Sequence, residues 1–149
     1  MSTIKDIQNE IIEEFNFLGD DREAMINYIM ELGESLTSMK ENDKVEENII
    51  KGCMSKVWLK AEEKEGKIHF IADSNTAITK GLISLLIRIL DDKKADEIID
   101  SELYFMDKIG MNNLIGSQRS GGFAAMIKQM KLYALAYKGK AEITARDNG

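Results

Sequence analysis

The sequence predicts an α+β fold in a single domain over residues 1–149: two N-terminal helices, a small antiparallel sheet of two or three strands, and a helical C-terminal region. Three observations predict it. Apolar residues recur at helical spacing in residues 3–33, strict two-residue alternation takes over in residues 57–73, and helical spacing returns from residue 76. Helices, then a small sheet, then helices is the order of an α+β chain rather than of alternating strand–helix units.

The first helix is expected over residues 3–17, where Ile4, Ile7, Ile11, Ile12 and Phe15 share one face and Thr3 with Asp6 resembles a capping box. Gly19-Asp20-Asp21 breaks it, Asp20 caps a second helix ending near Gly33, and Met25, Ile29 and Leu32 form that helix's inner stripe. Residues 34–48 read as a polar loop with one helical turn around Val45, followed by short strand character at Ile49-Ile50 and a turn at Gly52-Cys53.

The hairpin is the clearest signal. Val57, Leu59 and Ala61 alternate with Trp58, Lys60 and Glu62; Glu65-Gly66 turns the chain; Ile68, Phe70 and Ala72 then alternate with His69, Ile71 and Asp73. Ser74 or Thr76 caps the next helix, which carries eight Leu and Ile residues between Thr76 and Leu90. Burying each is worth roughly 1.5–3 kcal/mol, so this must be the central core helix. Residues 91–94 read as a solvated turn, residues 95–101 and 104–109 as short helices, and residues 110–122 as a glycine-rich polar loop. A last amphipathic helix is expected over about 122–138, with the tail from 139 frayed.

Composition excludes several function classes. With 44% apolar and 31% charged residues the chain is of ordinary globular type, and its net charge of −6 argues against a nucleic-acid or anionic membrane surface. The first residues lack a secretory pattern and the longest apolar stretch, residues 82–90, is too short to span a bilayer, so a cytoplasmic location is expected. One cysteine and one histidine exclude an internal disulfide, an all-thiolate cluster site and a closed Cys/His zinc site. No metal or cofactor is expected.

The chemistry therefore rests on Cys53 or on no thiol at all. Gly52 permits a tight turn that leaves the sulfur open, and Lys51 and Lys56 place positive charge nearby. Such charge matters, because a free thiol with a pKa near 8.5 is only about 3% ionised at pH 7. The competing reading is a buried structural cysteine.

The run Lys51-Gly52-Cys53-Met54-Ser55-Lys56-Val57-Trp58-Leu59 resembles the cysteine loop of the SufE family of cysteine-desulfuration proteins. Three further stretches agree in order and spacing: residues 22–33, ending Tyr28-Ile29-Met30-Glu31-Leu32-Gly33; residues 72–82, with Asp73-Ser74-Asn75-Thr76; and Ser117-Gln118-Arg119-Ser120-Gly121-Gly122. The resemblance implies the α+β fold shared with IscU-type scaffolds and a carrier role. Cys53 would take sulfane sulfur as a persulfide from a PLP-dependent, SufS-type cysteine desulfurase, stimulate that enzyme, and pass the sulfur to a SufBCD-type cluster scaffold. It also implies that Lys51, Gly52, Ser55, Asp73, Ser74, Arg119 and Ser120 support the persulfide loop, and that Met54, Lys56, Asn75 and Lys80 meet the partner. The chain departs from the family at Asn75, where an acidic residue is frequent, and in lacking prolines near residues 36–46 and 116–118.

Each candidate also has a plainer reading. Arg119 and Ser120 in a Gly-flanked loop fit anion stabilisation, or simply a helix entry. Asp73-Ser74 is first a helix N-cap pair. Gly81, after Lys80, costs roughly 0.8–1 kcal/mol inside a helix, which points to close packing against the cysteine loop. Trp58 is a sheet-packing residue, and His69 is the one histidine that could serve as a general base. The alternatives to a carrier are a one-cysteine thiol peroxidase, a thiol hydrolase using His69, or a non-catalytic module that binds the desulfurase.

Overall fold

The computed structural model describes residues 2–148, with side chains through residue 143. Helix α1 (Ile4–Phe17) opens with the expected capping box: Thr3 Oγ1 accepts the Asp6 N–H at 3.0 Å while the Thr3 N–H donates to the Asp6 carboxylate at 3.2 Å. Ile7, Ile11 and Phe15 face the core. Helix α2 (Arg22–Glu34) is capped by Asp21, which accepts the Ala24 N–H at 3.0 Å, and not by Asp20 as the sequence implied. The polar stretch after it holds two single 3₁₀ turns, Glu41–Asp43 and Glu46–Asn48, on either side of Val45.

Strands β1 (Val57–Lys64) and β2 (Lys67–Ser74) form the predicted hairpin, pairing Val57 with Ser74 and Lys64 with Lys67. Glu65 and Gly66 both take positive φ, 54° and 80°, the two-residue geometry whose twist matches that of the strands. Val57, Leu59, Ala61, Ile68, Phe70 and Ala72 turn inward onto α3 (Ala77–Leu90), whose Leu82, Ile83, Leu85, Leu86, Ile89 and Leu90 are almost completely buried. Helix α3 meets α2 through two glycines. A Cβ at Gly33 would lie 2.7 Å from the Gly81 nitrogen, and one at Gly81 would overlap the Ile29 carbonyl. The close packing expected of Gly81 is thus against α2, not against the cysteine loop.

Residues 91–94 are more than a solvated turn. The Asp91 carboxylate accepts the Phe70 N–H at 2.7 Å, and Lys93–Lys94 pairs antiparallel with Lys67 and Ile68 as β3, giving the sheet order β1-β2-β3. Short helices α4 (Ala95–Ile99) and α5 (Phe105–Lys108) follow.

The largest correction lies in residues 110–122. They are not a loop: α6 (Met111–Asn148) begins there and is interrupted once, at Gly116 (φ 84°, ψ 166°). Met111, Leu114, Ile115 and Phe123 are buried, and this anchoring outweighs the weak helical propensity of the intervening Gly, Ser and Asn residues. Instead of fraying at 139, the helix continues to Asn148. It covers the free edge of the sheet, with Tyr133 and Tyr137 hydroxyls donating to the β1 carbonyls of Leu59 (3.2 Å) and Ala61 (2.8 Å).

Candidate functional site

Cys53 sits on the short loop that enters β1. Gly52 turns the chain at φ +97°, and its missing Cβ leaves room for Ala125 of α6, 3.4 Å from where that atom would lie. The Cys53 side chain is half-buried against α6, and its S–H donates to the Gly122 carbonyl at 3.4 Å. Gly122 is the point of closest approach: a Cβ there would stand 3.3 Å from the sulfur. A pocket of about 450 Å³ opens beside the thiol, with Ser55, Thr79, Leu82, Ile115, Arg119 and Met126 in its wall. Met54, next to the sulfur, is 77% exposed.

The loop is held from its far end. Ser74 Oγ–H donates to the Lys56 carbonyl at 2.8 Å, as does the Asn75 N–H at 3.2 Å, while the Asn75 side-chain oxygen accepts the Lys56 N–H at 3.1 Å. Ser55 shares a hydrogen bond with Thr76 at 3.0 Å and accepts one from Thr79 at 3.3 Å. The start of α3 thus clamps the residues that follow the thiol. Thr76 occupies the N-cap position without a side-chain cap bond, because its hydroxyl serves Ser55 instead.

The structure divides the expected site residues into two groups. Met54, Ser55 and Arg119 line the Cys53 pocket and Gly52 turns the chain into it, while Ser74 and Asn75 hold the loop at the Lys56 backbone. Asp73 and Lys80 do not line the pocket: they pair with each other at 3.5 Å, and Asp73 also binds Lys44 at 3.2 Å, with the Lys44 ammonium 5.7 Å from the Trp58 ring centre. Burial pushes the Asp73 carboxyl upward, but the Ser74 amide and the Lys44 and Lys80 charges outweigh it and hold the group below its ordinary value. Ser120 Oγ–H donates to the Gly116 carbonyl at 2.8 Å and so closes the first turn after the helix break rather than facing the sulfur. Lys51 and Lys56 are exposed and line no part of the pocket. Burial pushes the Cys53 thiol above its ordinary range, opposite to the lowering those lysines implied.

His69 lies far from the thiol. Its ring nitrogens face Asp91 (3.6 Å) and Asp92 (3.5 Å), five residues along β2 from Ser74, roughly 17 Å at about 3.3 Å per residue. It is the chain's one histidine, so the hydrolase reading loses its base. Among the described residues no three His, Cys, Asp or Glu side chains converge to hold a metal.

Two contributors, Gly122 and Thr79, escape sequence reasoning. The one signal for Gly122 is the glycine pair Gly121-Gly122 where the last helical pattern begins, which allows a close backbone approach whose partner the sequence does not name.

Residues 9–134 match the family described as "SufE: Fe-S metabolism associated domain". The chain belongs to the SufE family. Among this SufE-family protein's relatives is an uncharacterised SufE-like protein of Rhizobium meliloti (strain 1021), 35% identical over 129 residues that cover 83% of this chain and 91% of the relative. A SufE-like protein of Synechocystis is 29% identical over 87% of this chain and 80% of its own length. The Arabidopsis thaliana SufE-like protein 1, chloroplastic/mitochondrial, is 31% identical over 89% of this chain but only 36% of its own length. The fold matches the solution structure of a hypothetical protein from Thermus thermophilus with a TM-score of 0.72 at 15% identity, covering 87% of this chain and 94% of that one. The SufE assignment ties the chain to iron–sulfur metabolism. No helix among its described residues is long and apolar enough to cross a membrane.

Proposed function

We propose that this SufE-family protein is a sulfur carrier whose Cys53 accepts sulfane sulfur from a PLP-dependent, SufS-type cysteine desulfurase and passes it to a SufBCD-type cluster scaffold. The observation that carries the reading is the setting of the chain's one cysteine: on a turn, half-buried beside a pocket with room for an added sulfur, with exposed Met54 next to it as a docking contact. The Cys53 thiolate attacks the terminal sulfur of the desulfurase persulfide. One S–S bond forms at Cys53, the S–S bond on the desulfurase breaks, and the released partner thiolate takes up the proton that Cys53 gave to solvent. Sulfur changes hands without net oxidation or reduction.

At rest the half-buried thiol is held protonated and slow to react, sheltered against Gly122. Docking of the partner at Met54, Lys56 and Asn75 draws the loop away from α6, and Arg119 at the pocket wall then stabilises the thiolate or persulfide anion. Incubation with a cysteine desulfurase and free cysteine tests the proposal. Mass spectrometry should find one added sulfur on Cys53, and Cys53→Ser should lose both that adduct and the stimulation of the desulfurase. An unmodified Cys53, or full stimulation by the serine variant, rejects the carrier role.

A further inference from the structure

Helix α6 presents a second face that sulfur transfer does not use. Tyr133 and Tyr137 fasten its inner side to β1, and Lys138 binds Asp96 of α4 at 2.7 Å. The opposite side carries Leu132, Leu135, Ala136, Gly139 and Ile143, spaced i, i+3, i+4, i+7 and i+11 on one stripe. Leu132, Leu135 and Ile143 are 46%, 54% and 55% exposed, among the most open large apolar side chains of the molecule. A groove of about 360 Å³ lies between Leu132 and Leu135 of this stripe and Ile99 of α4, with Ala124 and Ile127 also in its wall. Lys128 is exposed on its rim, and Lys131 reaches across to donate to the Ser101 carbonyl at 2.6 Å. The groove's last part lies beyond residue 134, where the family match ends.

Charge decides what fits there. Residues 1–40 hold nine acidic and three basic residues, a net of −6 that equals the charge of the whole chain. Residues 111–149 hold six basic and two acidic residues, a net of +4. An apolar groove with a lysine rim on the one strongly basic element suits an amphipathic helix with acidic flanks, read through anchors at i, i+3, i+4 and i+7. Two copies meeting stripe to stripe would bring two basic helices together. A bilayer surface is a poor match for a concave groove, and the chain's net charge of −6 disfavours an anionic one.

We propose that the α4–α6 groove is a protein-docking surface for an acidic amphipathic helix of a partner, lined by none of the residues that line the Cys53 pocket. The test is fluorescence anisotropy on the full chain with a labelled helical peptide of about 15 residues, Leu on one face and Glu on its flanks. The peptide should bind with Kd on the order of 10–100 µM, and Leu135→Asp and Lys128→Glu should each weaken it about tenfold or more. Both side chains are exposed, so circular dichroism should show an unchanged fold. Several outcomes overturn the proposal: no saturable binding, equal binding of a Lys-flanked peptide, or insensitivity to both variants. Light scattering that shows a dimer dissolved by Leu135→Asp, or co-sedimentation with phosphatidylglycerol vesicles in preference to peptide binding, also overturns it in favour of a second copy or a membrane.

Discussion

The Gly122 carbonyl of α6 accepts the Cys53 S–H at 3.4 Å, and no side chain stands between helix and thiol because residue 122 has none. A methyl group at this position would lie 3.3 Å from the sulfur, tighter than ordinary contact. The softest element able to yield is the cysteine loop. Gly122→Ala should therefore move the sulfur outward and speed its labelling by iodoacetamide several-fold. Global stability should shift by no more than about 1 kcal/mol, since Ala is the better helix former. Unchanged or slower labelling would show that Gly122 does not shelter the thiol.

The half-buried thiol also fixes a pH dependence. Burial raises the Cys53 pKa, so the folded protein holds that proton more tightly than the unfolded chain does. This contribution to stability is fully present below the unfolded thiol's pKa and is lost as pH rises through the folded value. Alkylation of the isolated protein should keep accelerating above the range where a free cysteine has levelled off. Alkylation of the chain unfolded in guanidinium chloride should titrate at the ordinary thiol value. A profile lower in the native protein than in the unfolded one would contradict the burial seen here.

Much of this was legible in the sequence, for physical reasons that differ by element. The hairpin follows from Val57, Leu59 and Ala61 alternating toward Ile68, Phe70 and Ala72, with Glu65-Gly66 supplying a turn that keeps both faces in register. Cys53 stood out as the single thiol beside a glycine. The start of α6 was not legible, because its Gly, Ser and Asn residues read locally as a loop and only tertiary anchoring by Leu114, Ile115 and Phe123 makes it helical. Nor could local pattern place Gly122 on Cys53, 69 residues away, or separate Asp73 and Lys80, which pair with each other, from the residues that hold the cysteine loop.

Helices α2 and α3 cross at bare backbone. A Cβ at Gly81 would run into the carbonyl and side chain of Ile29, which is itself fully buried, so neither helix can yield without opening the core. Gly81→Ala should cost on the order of 3 kcal/mol or more in chemical denaturation, despite alanine's better helical propensity. Gly121→Ala is the matching control, since nothing lies near its missing Cβ. It should leave the protein as stable or gain up to about 1 kcal/mol. Equal effects at the two positions would mean that the α2–α3 contact is looser than its geometry.

Arg119 is exposed, follows the break at Gly116 and contributes to the wall of the Cys53 pocket, so its charge should act on what approaches the sulfur rather than on the fold. A reagent that carries negative charge should feel it, and a neutral one should not. Arg119→Gln should therefore slow the reaction of Cys53 with the dianionic disulfide Ellman's reagent, by about three- to tenfold at low salt, and leave iodoacetamide labelling nearly unchanged. Salt should shrink the difference, because the screening length falls from about 30 Å at 0.01 M to about 3 Å at 1 M. A variant that slowed both reagents equally would point to a lowered thiolate fraction or an altered loop rather than to attraction of the incoming anion, and one that slowed neither would remove Arg119 from the site. The charged reagent stands in for the persulfide anion, so the same ratio measures how strongly the pocket selects the group it is proposed to carry.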